Sequence, residues 1–164
     1  MSRRPLQIAV IGSGARDPEL APVAEEVGRR LAEAGAVVVC GGLGGVMEAA
    51  ARGAREVDGD VIGILPGVEP AEANSYCTHV VAAATGKARN LAVVASADAV
   101  IAIGGEWGTL SEIAHARAFG RAVVALGSWS VKPAAPMPDG EGIETASDAA
   151  EAIGAALALA AAAR

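Results

Sequence analysis

Three glycine-rich segments could bind an anion, because each follows a short apolar run and precedes a stretch of helical periodicity. They are residues 12–14, 41–45 and 104–105. If the apolar runs are parallel strands, their carboxyl ends share one edge of a sheet, where ligands bind at the switch point of the connections. Glycine lets the backbone approach a ligand, and the following helix offers free N–H groups with a partial positive charge. Although one such turn alone could serve only packing, the set predicts a phosphate-binding site.

Missing features narrow the class of phosphate ligand. Asp17 stands where a dinucleotide fingerprint has its third glycine, and the run that ends at Cys40 lacks the acidic residue that binds the ribose of NAD. The chain also has no GxxxxGK pattern for the phosphates of ATP. A mononucleotide or a related phosphorylated compound is therefore favoured over NAD and ATP.

Alternating strand and helix patterns must position these segments. Short β-branched runs predict strands at residues 7–11, 36–40, 60–65, 77–82, 99–103 and 121–126. Periodicity predicts helices near 18–34, 46–57, 86–97 and 109–119, with loops at 67–76 and 127–142. A final alanine-rich helix is expected to be capped by Thr145 or Ser147. This order predicts one domain over residues 1–164 with a three-layer Rossmann-like α/β fold, in which helices cover both faces of a mostly parallel sheet.

Composition excludes several classes of function. A net charge of −6 and 2% aromatic residues argue against a nucleic-acid partner, because that needs basic surface and stacking rings. The longest apolar tract, residues 152–163, is shorter than the roughly 20 residues of a bilayer span, so no membrane association is expected. Cys40 and Cys77 have neither disulfide nor metal spacing, which favours a cytoplasmic protein with free thiols. No metal site is predicted, and His79 and His115 are expected at the surface.

The glycine segments resemble those of a known family. Residues 104–112, GGEWGTLSE, resemble the GGxGTxxE motif of the LOG family, often mislabelled lysine decarboxylase. Residues 41–48 resemble its second glycine segment, and residues 85–90 stand where its arginine-bearing segment lies. The resemblance implies a Rossmann-like fold and a homodimer. It also implies hydrolysis of the N-glycosidic bond of cytokinin riboside 5′-monophosphates or AMP. A neighbouring branch, the molybdenum-cofactor carrier proteins, binds without catalysing.

The resemblance implies roles for particular residues. Glu112 would be catalytic, by stabilising positive charge on the ribose or by activating water, and Arg89 would orient it or assist departure of the base. The residues that would bind the phosphate and nucleotide are Gly12, Ser13, Gly14, Gly41, Gly42, Gly44, Gly45, Met47, Gly104, Gly105, Gly108 and Thr109. Plainer alternatives stay open. Thr109 and Glu112 also fit a capping box at a helix start, and Arg89 also fits a solvated surface arginine.

Two functions from different classes remain at this point. One is a nucleoside 5′-monophosphate phosphoribohydrolase that needs no cofactor. The other is a carrier or sensor for a nucleotide or the molybdenum cofactor, favoured by Ile103 and Asn90 where the proven hydrolases have proline and lysine. A lysine decarboxylase is not supported, since a pyridoxal-phosphate enzyme needs a Schiff-base lysine and only Lys87 and Lys132 are available. The sequence leaves open the ligand, the number of subunits and whether loop 133–140 closes over the site.

Overall fold

Seven parallel strands form one sheet in the computed structural model, which describes residues 4–137 and 142–164. Every described pairing of neighbouring strands is parallel, and the spatial order is β4-β3-β2-β1-β5-β6-β7. The strands are β1 Gln7–Gly12, β2 Val37–Cys40, β3 Val61–Leu65, β4 His79–Ala82, β5 Ala99–Ile103, β6 Ala122–Leu126 and β7 Ile143–Ala146.

Helices cover both faces of this sheet, which confirms the three-layer Rossmann-like fold. The α-helices are α1 Leu20–Glu33, α2 Val46–Glu56, α3 Arg89–Ala95, α4 Trp107–Ala118 and α5 Ala149–Ala162. Two short 3-10 helices span Pro70–Glu72 and Gly86–Ala88. Helices α1, α2 and α5 pack on one face and α3 and α4 on the other, so two separate apolar cores enclose the buried strands.

Small residues let helices α1 and α2 pack very closely. A Cβ on Gly28 would lie 1.9 Å from the carbonyl oxygen of Ala50, and a Cβ on Gly53 would lie 1.9 Å from that of Glu25. The alanine-rich, aromatic-poor composition is therefore used to bring helix backbones together. The start of α2 lies beside the end of β1, since a Cβ on Gly12 would lie 2.9 Å from the Val46 Cβ.

The strand order places the switch point of the fold between β1 and β5. From β1 the chain moves outward through β2, β3 and β4, and it then returns to the other side of β1 with β5. Gly12 at the end of β1 pairs with Ile103 at the end of β5. Connections diverge here, and open parallel sheets bind ligands in the crevice beyond these strand ends.

The structure corrects three details of the predicted elements. Strand β7, Ile143–Ala146, directly follows the stretch predicted as loop, at a place where no strand was predicted. The cap of α5 is Asp148, whose Oδ1 accepts the Glu151 N–H at 2.8 Å, so neither Thr145 nor Ser147 is the cap. The helix predicted at 86–97 is a 3-10 turn followed by the shorter α3. Residues 138–140 of the loop expected at 133–140 lie outside the described residues.

A half-buried carboxylate joins the two ends of the described chain. Asp98, just before β5, accepts hydrogen bonds from Arg4 at 2.9 Å, from Arg164 at 2.8 Å and from the Gln7 N–H at 2.9 Å. Burial alone would raise the pKa of Asp98, but these donors outweigh it and lower the pKa to about 2. The ionised form is thus the one that the fold stabilises.

We expect Asp98→Asn to lower the free energy of unfolding by about 2 kcal/mol at pH 7. The stability that the Asp98 carboxylate contributes is present above the unfolded-state pKa. It is lost as the pH falls towards 2, because protonation removes the charge that Asp98→Asn also removes. Urea unfolding at pH 7 and pH 3 measures it. Asp58→Asn, at an exposed carboxylate 3.8 Å from Arg55, is the control and should change stability by at most about 0.5 kcal/mol. An equal loss for Asp98→Asn at both pH values would contradict the assignment.

Candidate functional site

A cleft of about 290 Å³ opens beyond the carboxyl ends of β1, β2 and β5. Its walls come from the loop after β1, the loop after β2, the start of α3 and the first turn and a half of α4. The lining residues are Val10, Ile11, Gly12, Ser13, Gly14, Gly41, Leu43, Met47, Arg89, Asn90, Glu106, Gly108, Thr109 and Glu112. Segments far apart in the chain therefore meet at the switch point of the sheet.

The cleft brings together most of the residues singled out from the sequence. Those that line it are Gly12, Ser13, Gly14, Gly41, Met47, Arg89, Gly108, Thr109 and Glu112. Gly42, Gly44 and Gly45 do not line it. Gly104 and Gly105 instead line a shallow depression beside Trp129. Both glycines have a positive φ, 54° at Gly104 and 99° at Gly105, and they form the turn that connects β5 to α4.

Gly45 shapes the cleft from outside, by allowing two loops to interlock. Its φ is 65°, and a Cβ here would lie 2.2 Å from the Ser13 carbonyl oxygen. That oxygen accepts the Val46 N–H at 3.0 Å, so the loop after β1 is held against the start of α2. Only glycine permits this approach. Gly45 therefore supports the position of the residue 12–14 wall.

Two helix starts face the cleft without side-chain caps. Met47 lies in the first turn of α2, and Gly108 and Thr109 lie in the first turn of α4. Neither helix has a side-chain hydrogen bond at its N-cap. The N–H groups of a first turn have no partner within the helix and carry a partial positive charge. These two helix starts favour an anion in the cleft.

The capping-box alternative for Thr109 and Glu112 is wrong. Helix α4 begins at Trp107 with Glu106 as its N-cap, so Thr109 lies inside the helix. Thr109 and Glu112 are both buried and both face the cleft. Their spacing therefore places a hydroxyl and a carboxyl, one turn apart, in the same wall.

Arg89 is a buried cation in the cleft wall, so the solvated-arginine alternative is also wrong. It is the first residue of α3 and is 8% exposed. The guanidinium packs on Gly41 so tightly that a Cβ there would lie 1.8 Å from its Nη1. Its Nε is buried without a hydrogen-bond partner. Burial lowers the pKa of Arg89, while the charge of Glu112 opposes that change.

Glu112 is 7% exposed, and burial raises the pKa of its carboxyl to about 7. The charge of Arg89 acts in the opposite direction but does not outweigh burial. The two side chains form no ion pair within 4 Å, although both line the cleft. At neutral pH the carboxyl is consequently present in both protonation states, as a proton donor and as a charged acceptor.

Sequence reasoning missed five residues of the lining, which are Val10, Ile11, Leu43, Asn90 and Glu106. Leu43, Asn90 and Glu106 each adjoin a residue that was singled out. Asn90 had been noted only as a departure from the hydrolase pattern.

Next to Glu106, Trp107 is 76% exposed, and its ring centroid lies 5.1 Å from that of Trp129. The Trp129 Nε1–H donates to the Glu106 carbonyl at 3.2 Å, which holds this aromatic pair at the rim.

Two further observations concern the described residues, 4–137 and 142–164. Within them, His, Cys, Asp and Glu side chains form no group of three or more that could hold a metal ion. Their helices include none with the length and apolar character needed to span a bilayer. His115 is partly buried on α4, where its Nδ1 lies 2.7 Å from the Ser111 carbonyl oxygen.

The fold and the cleft define a class of protein, the Rossmann-like α/β proteins whose ligand site lies at the carboxyl ends of parallel strands. A family model matches residues 5–153, and the chain belongs to that family, the SLOG cluster4 family. This confirms the LOG-like resemblance seen in the glycine segments. A relative from Archaeoglobus fulgidus, described as an uncharacterized protein, is 46% identical over 121 residues, which are 74% of this chain and 80% of the relative.

Solved structures similar to this chain include two with a stated ligand. The molybdenum cofactor binding protein from Rippkaea orientalis has a TM-score of 0.84 and 30% identity, over 96% of this chain and 99% of that one. The molybdenum cofactor carrier protein from Chlamydomonas reinhardtii has a TM-score of 0.80 and 29% identity, over 96% and 99%. DNA processing protein A from Helicobacter pylori, at a TM-score of 0.68 and 21% identity over 94% and 81%, shares the fold alone.

We expect Glu112→Gln to stabilise the protein at pH 8 by up to about 3 kcal/mol, but not at pH 4. The folded-state pKa of about 7 lies above 4.5, the usual value for a glutamate in an unfolded chain. The stability that the protonated carboxyl contributes is therefore complete below pH 4.5 and lost as the pH rises through 7. Glutamine keeps the neutral form at every pH. Urea unfolding from pH 4 to pH 8 measures the difference.

Glu69→Gln is the control, because Glu69 is exposed in a loop and should not show this pH-dependent difference. If Glu112→Gln and wild type keep a constant difference in stability across this range, the pKa of Glu112 is the same in the folded and unfolded states, and the assignment made here is wrong.

Proposed function

We propose that this chain binds a phosphorylated, nucleotide-like small molecule in the cleft and acts as a carrier, with the molybdenum cofactor as the first candidate. The observation that carries the proposal is Arg89, a buried guanidinium with an unpartnered Nε and no ion pair in the cleft wall. A buried cation needs a compensating anion, and a bound phosphate supplies one. The similarity to proteins that bind the molybdenum cofactor points to the same class of ligand.

The chemistry of the lining fits such a ligand. The phosphate would bind at the start of α4, to the N–H groups of Gly108 and Thr109 and to the Thr109 hydroxyl. The same groups would bind the phosphate of AMP. Leu43 and Met47 offer apolar surface to a planar heterocycle. The cleft volume of about 290 Å³ lies near the lower end of small-molecule sites, which suits one mononucleotide or one pterin rather than a dinucleotide.

Hydrolysis of a nucleoside 5′-monophosphate is the second candidate, and Glu112 is the observation that favours it. A carboxyl with a pKa of about 7 can protonate a departing base or, when ionised, stabilise positive charge on the ribose. In this case Arg89 acts through its charge, since no hydrogen bond joins it to Glu112. The carrier is preferred because Ile103 and Asn90 depart from the hydrolase pattern and the named structural neighbours are cofactor-binding proteins.

Two parallel measurements separate these functions. Protein purified without oxygen from cells that make the molybdenum cofactor is assayed for bound molybdenum and for the fluorescence of the oxidised pterin. Separately, apo-protein is incubated with AMP, and adenine and ribose 5-phosphate are followed by chromatography. We expect bound pterin and no adenine. Adenine release that is lost in Glu112→Ala would instead establish the hydrolase. If the protein binds neither pterin nor AMP, the cleft proposal is overturned.

We expect Gly108→Ala to weaken ligand binding by roughly tenfold or more without destabilising the fold. A Cβ on Gly108 meets no atom within 4 Å, so the methyl group would project into open space at the phosphate position. Gly154→Ala on α5 is the matched control, because its Cβ also meets no atom within 4 Å and it does not line the cleft. Both changes should keep or raise stability, by up to about 1 kcal/mol.

Isothermal titration with AMP and thermal unfolding measure both effects. Equal affinities in the two variants would show that the start of α4 is not part of the phosphate site.

Three expectations from the sequence stay predictions. They are a homodimer through the alanine-rich faces of α4 and α5, a cytoplasmic location and the absence of a nucleic-acid partner.

A further inference from the structure

The connection from β3 to β4 crosses the sheet without an α-helix and passes directly over Gly63. Parallel strands need a crossover, which is usually helical. Here the chain runs from the carboxyl end of β3 to Thr78, whose N–H donates to the Val61 carbonyl at 3.0 Å. A Cβ on Gly63 would lie 2.6 Å from the Cys77 sulfur, so the thiol fills the space above this glycine. The crossover thus places Cys77 against the face of the sheet.

Cys40 lies beside this space on the neighbouring strand. It is the last residue of β2 and pairs in register with Gly63, so the two residues project to the same face. Its sulfur accepts the Gly42 N–H at 3.4 Å. Since the Cys77 sulfur fills the space above Gly63, the residue paired with Cys40 on the next strand, two cysteines 37 positions apart in the chain lie side by side on this face.

The two thiols differ in environment. Cys40 is fully buried, and the neighbouring Cys77 thiol together with burial raises its pKa well above the usual range. Cys77 is half-buried, and the neighbouring Cys40 thiol lowers its pKa. Since the thiolate is the nucleophile in thiol oxidation, Cys77 is the attacking residue and Cys40 the resolving one.

We propose that Cys40 and Cys77 form a reversible disulfide when a hydroperoxide oxidises the protein. The Cys77 thiolate attacks the terminal peroxide oxygen, which gives a sulfenic acid and releases hydroxide or alkoxide. The Cys40 thiol then attacks the Cys77 sulfur, the S–S bond forms, and the sulfenic oxygen leaves as water with the remaining proton. Two thiols are oxidised and one peroxide bond is reduced. A dithiol reductant reverses the reaction.

Asn74 connects this pair to the ligand cleft. Its N–H donates to the Gly42 carbonyl at 2.8 Å, and its Nδ2 donates to the Leu43 carbonyl at 2.9 Å. Its Oδ1 lies 3.6 Å from the Cys77 sulfur, which donates to it. A disulfide removes that donor and draws the crossover towards Cys40, so the loop that carries Gly41 shifts beneath the Arg89 guanidinium. On the proposed function, oxidation therefore weakens the affinity for a phosphate ligand.

Mass spectrometry of the full chain after treatment with a small excess of hydrogen peroxide tests the disulfide itself. We expect the loss of two hydrogen atoms, a peptide in which Cys40 and Cys77 are joined, and loss of both thiols to a thiol reagent under denaturing conditions. Dithiothreitol should restore them. Cys77→Ser should abolish the mass change, and Cys40→Ala should leave Cys77 as a sulfenic or sulfinic acid.

A stable sulfinic acid on Cys77 in the wild type, or a disulfide between two copies of the chain, would overturn the proposal. The second readout is AMP affinity, which should fall several-fold on oxidation in the wild type and remain unchanged in Cys77→Ser. Equal affinities in the oxidised and reduced wild type would overturn the link to the cleft. If AMP binds neither form, the proposed function fails, while the mass measurement still decides whether the disulfide forms.

Discussion

Two opposite charges buried in one cleft without contact are the constraint on which the rest of this structure depends. Arg89 and Glu112 are each more than nine-tenths buried, yet no ion pair joins them. Removing charges from water costs several kcal/mol per group unless partners compensate it. Here burial shifts the pKa of both side chains away from their charged forms. Pairing them or replacing them with apolar residues would remove this cost. On the proposed function, the bound phosphate is the partner that the Arg89 guanidinium lacks.

The sheet and its glycines hold these groups apart. Gly41 leaves no room for a Cβ against the Arg89 guanidinium, and Gly12 leaves none against the Ile103 carbonyl and Val46. The backbone at the ends of β1 and β2 thus approaches the cleft more closely than any side chain would allow. Because α1 and α2 pack through their own glycines, this geometry is anchored to one of the two cores.

The sequence was a good guide to the fold and a partial guide to the site. Apolar runs such as residues 99–103 predict buried parallel strands, and residues 99–103 are β5 as expected. Strand β7 was missed, because two of its four residues, Glu144 and Thr145, are polar and exposed and the strand lies at a sheet edge. Spacing located the glycine turns but could not separate Gly41, which lines the cleft, from Gly45, which holds its wall. That distinction depends on contacts between loops distant in the chain. The capping-box pattern also gave no sign of where α4 begins.

The aromatic pair at the rim has a spectroscopic consequence. Trp107 and Trp129 are the two tryptophans of the chain, and they touch each other beside the first turn of α4. Ultraviolet emission from this protein therefore comes mainly from this pair, in which Trp129 packs against the core on the α3–α4 face of the sheet. Trp107 is largely in water, so its emission is expected at long wavelength. A change in this emission reports on the first turn of α4, whose Gly108 and Thr109 line the cleft.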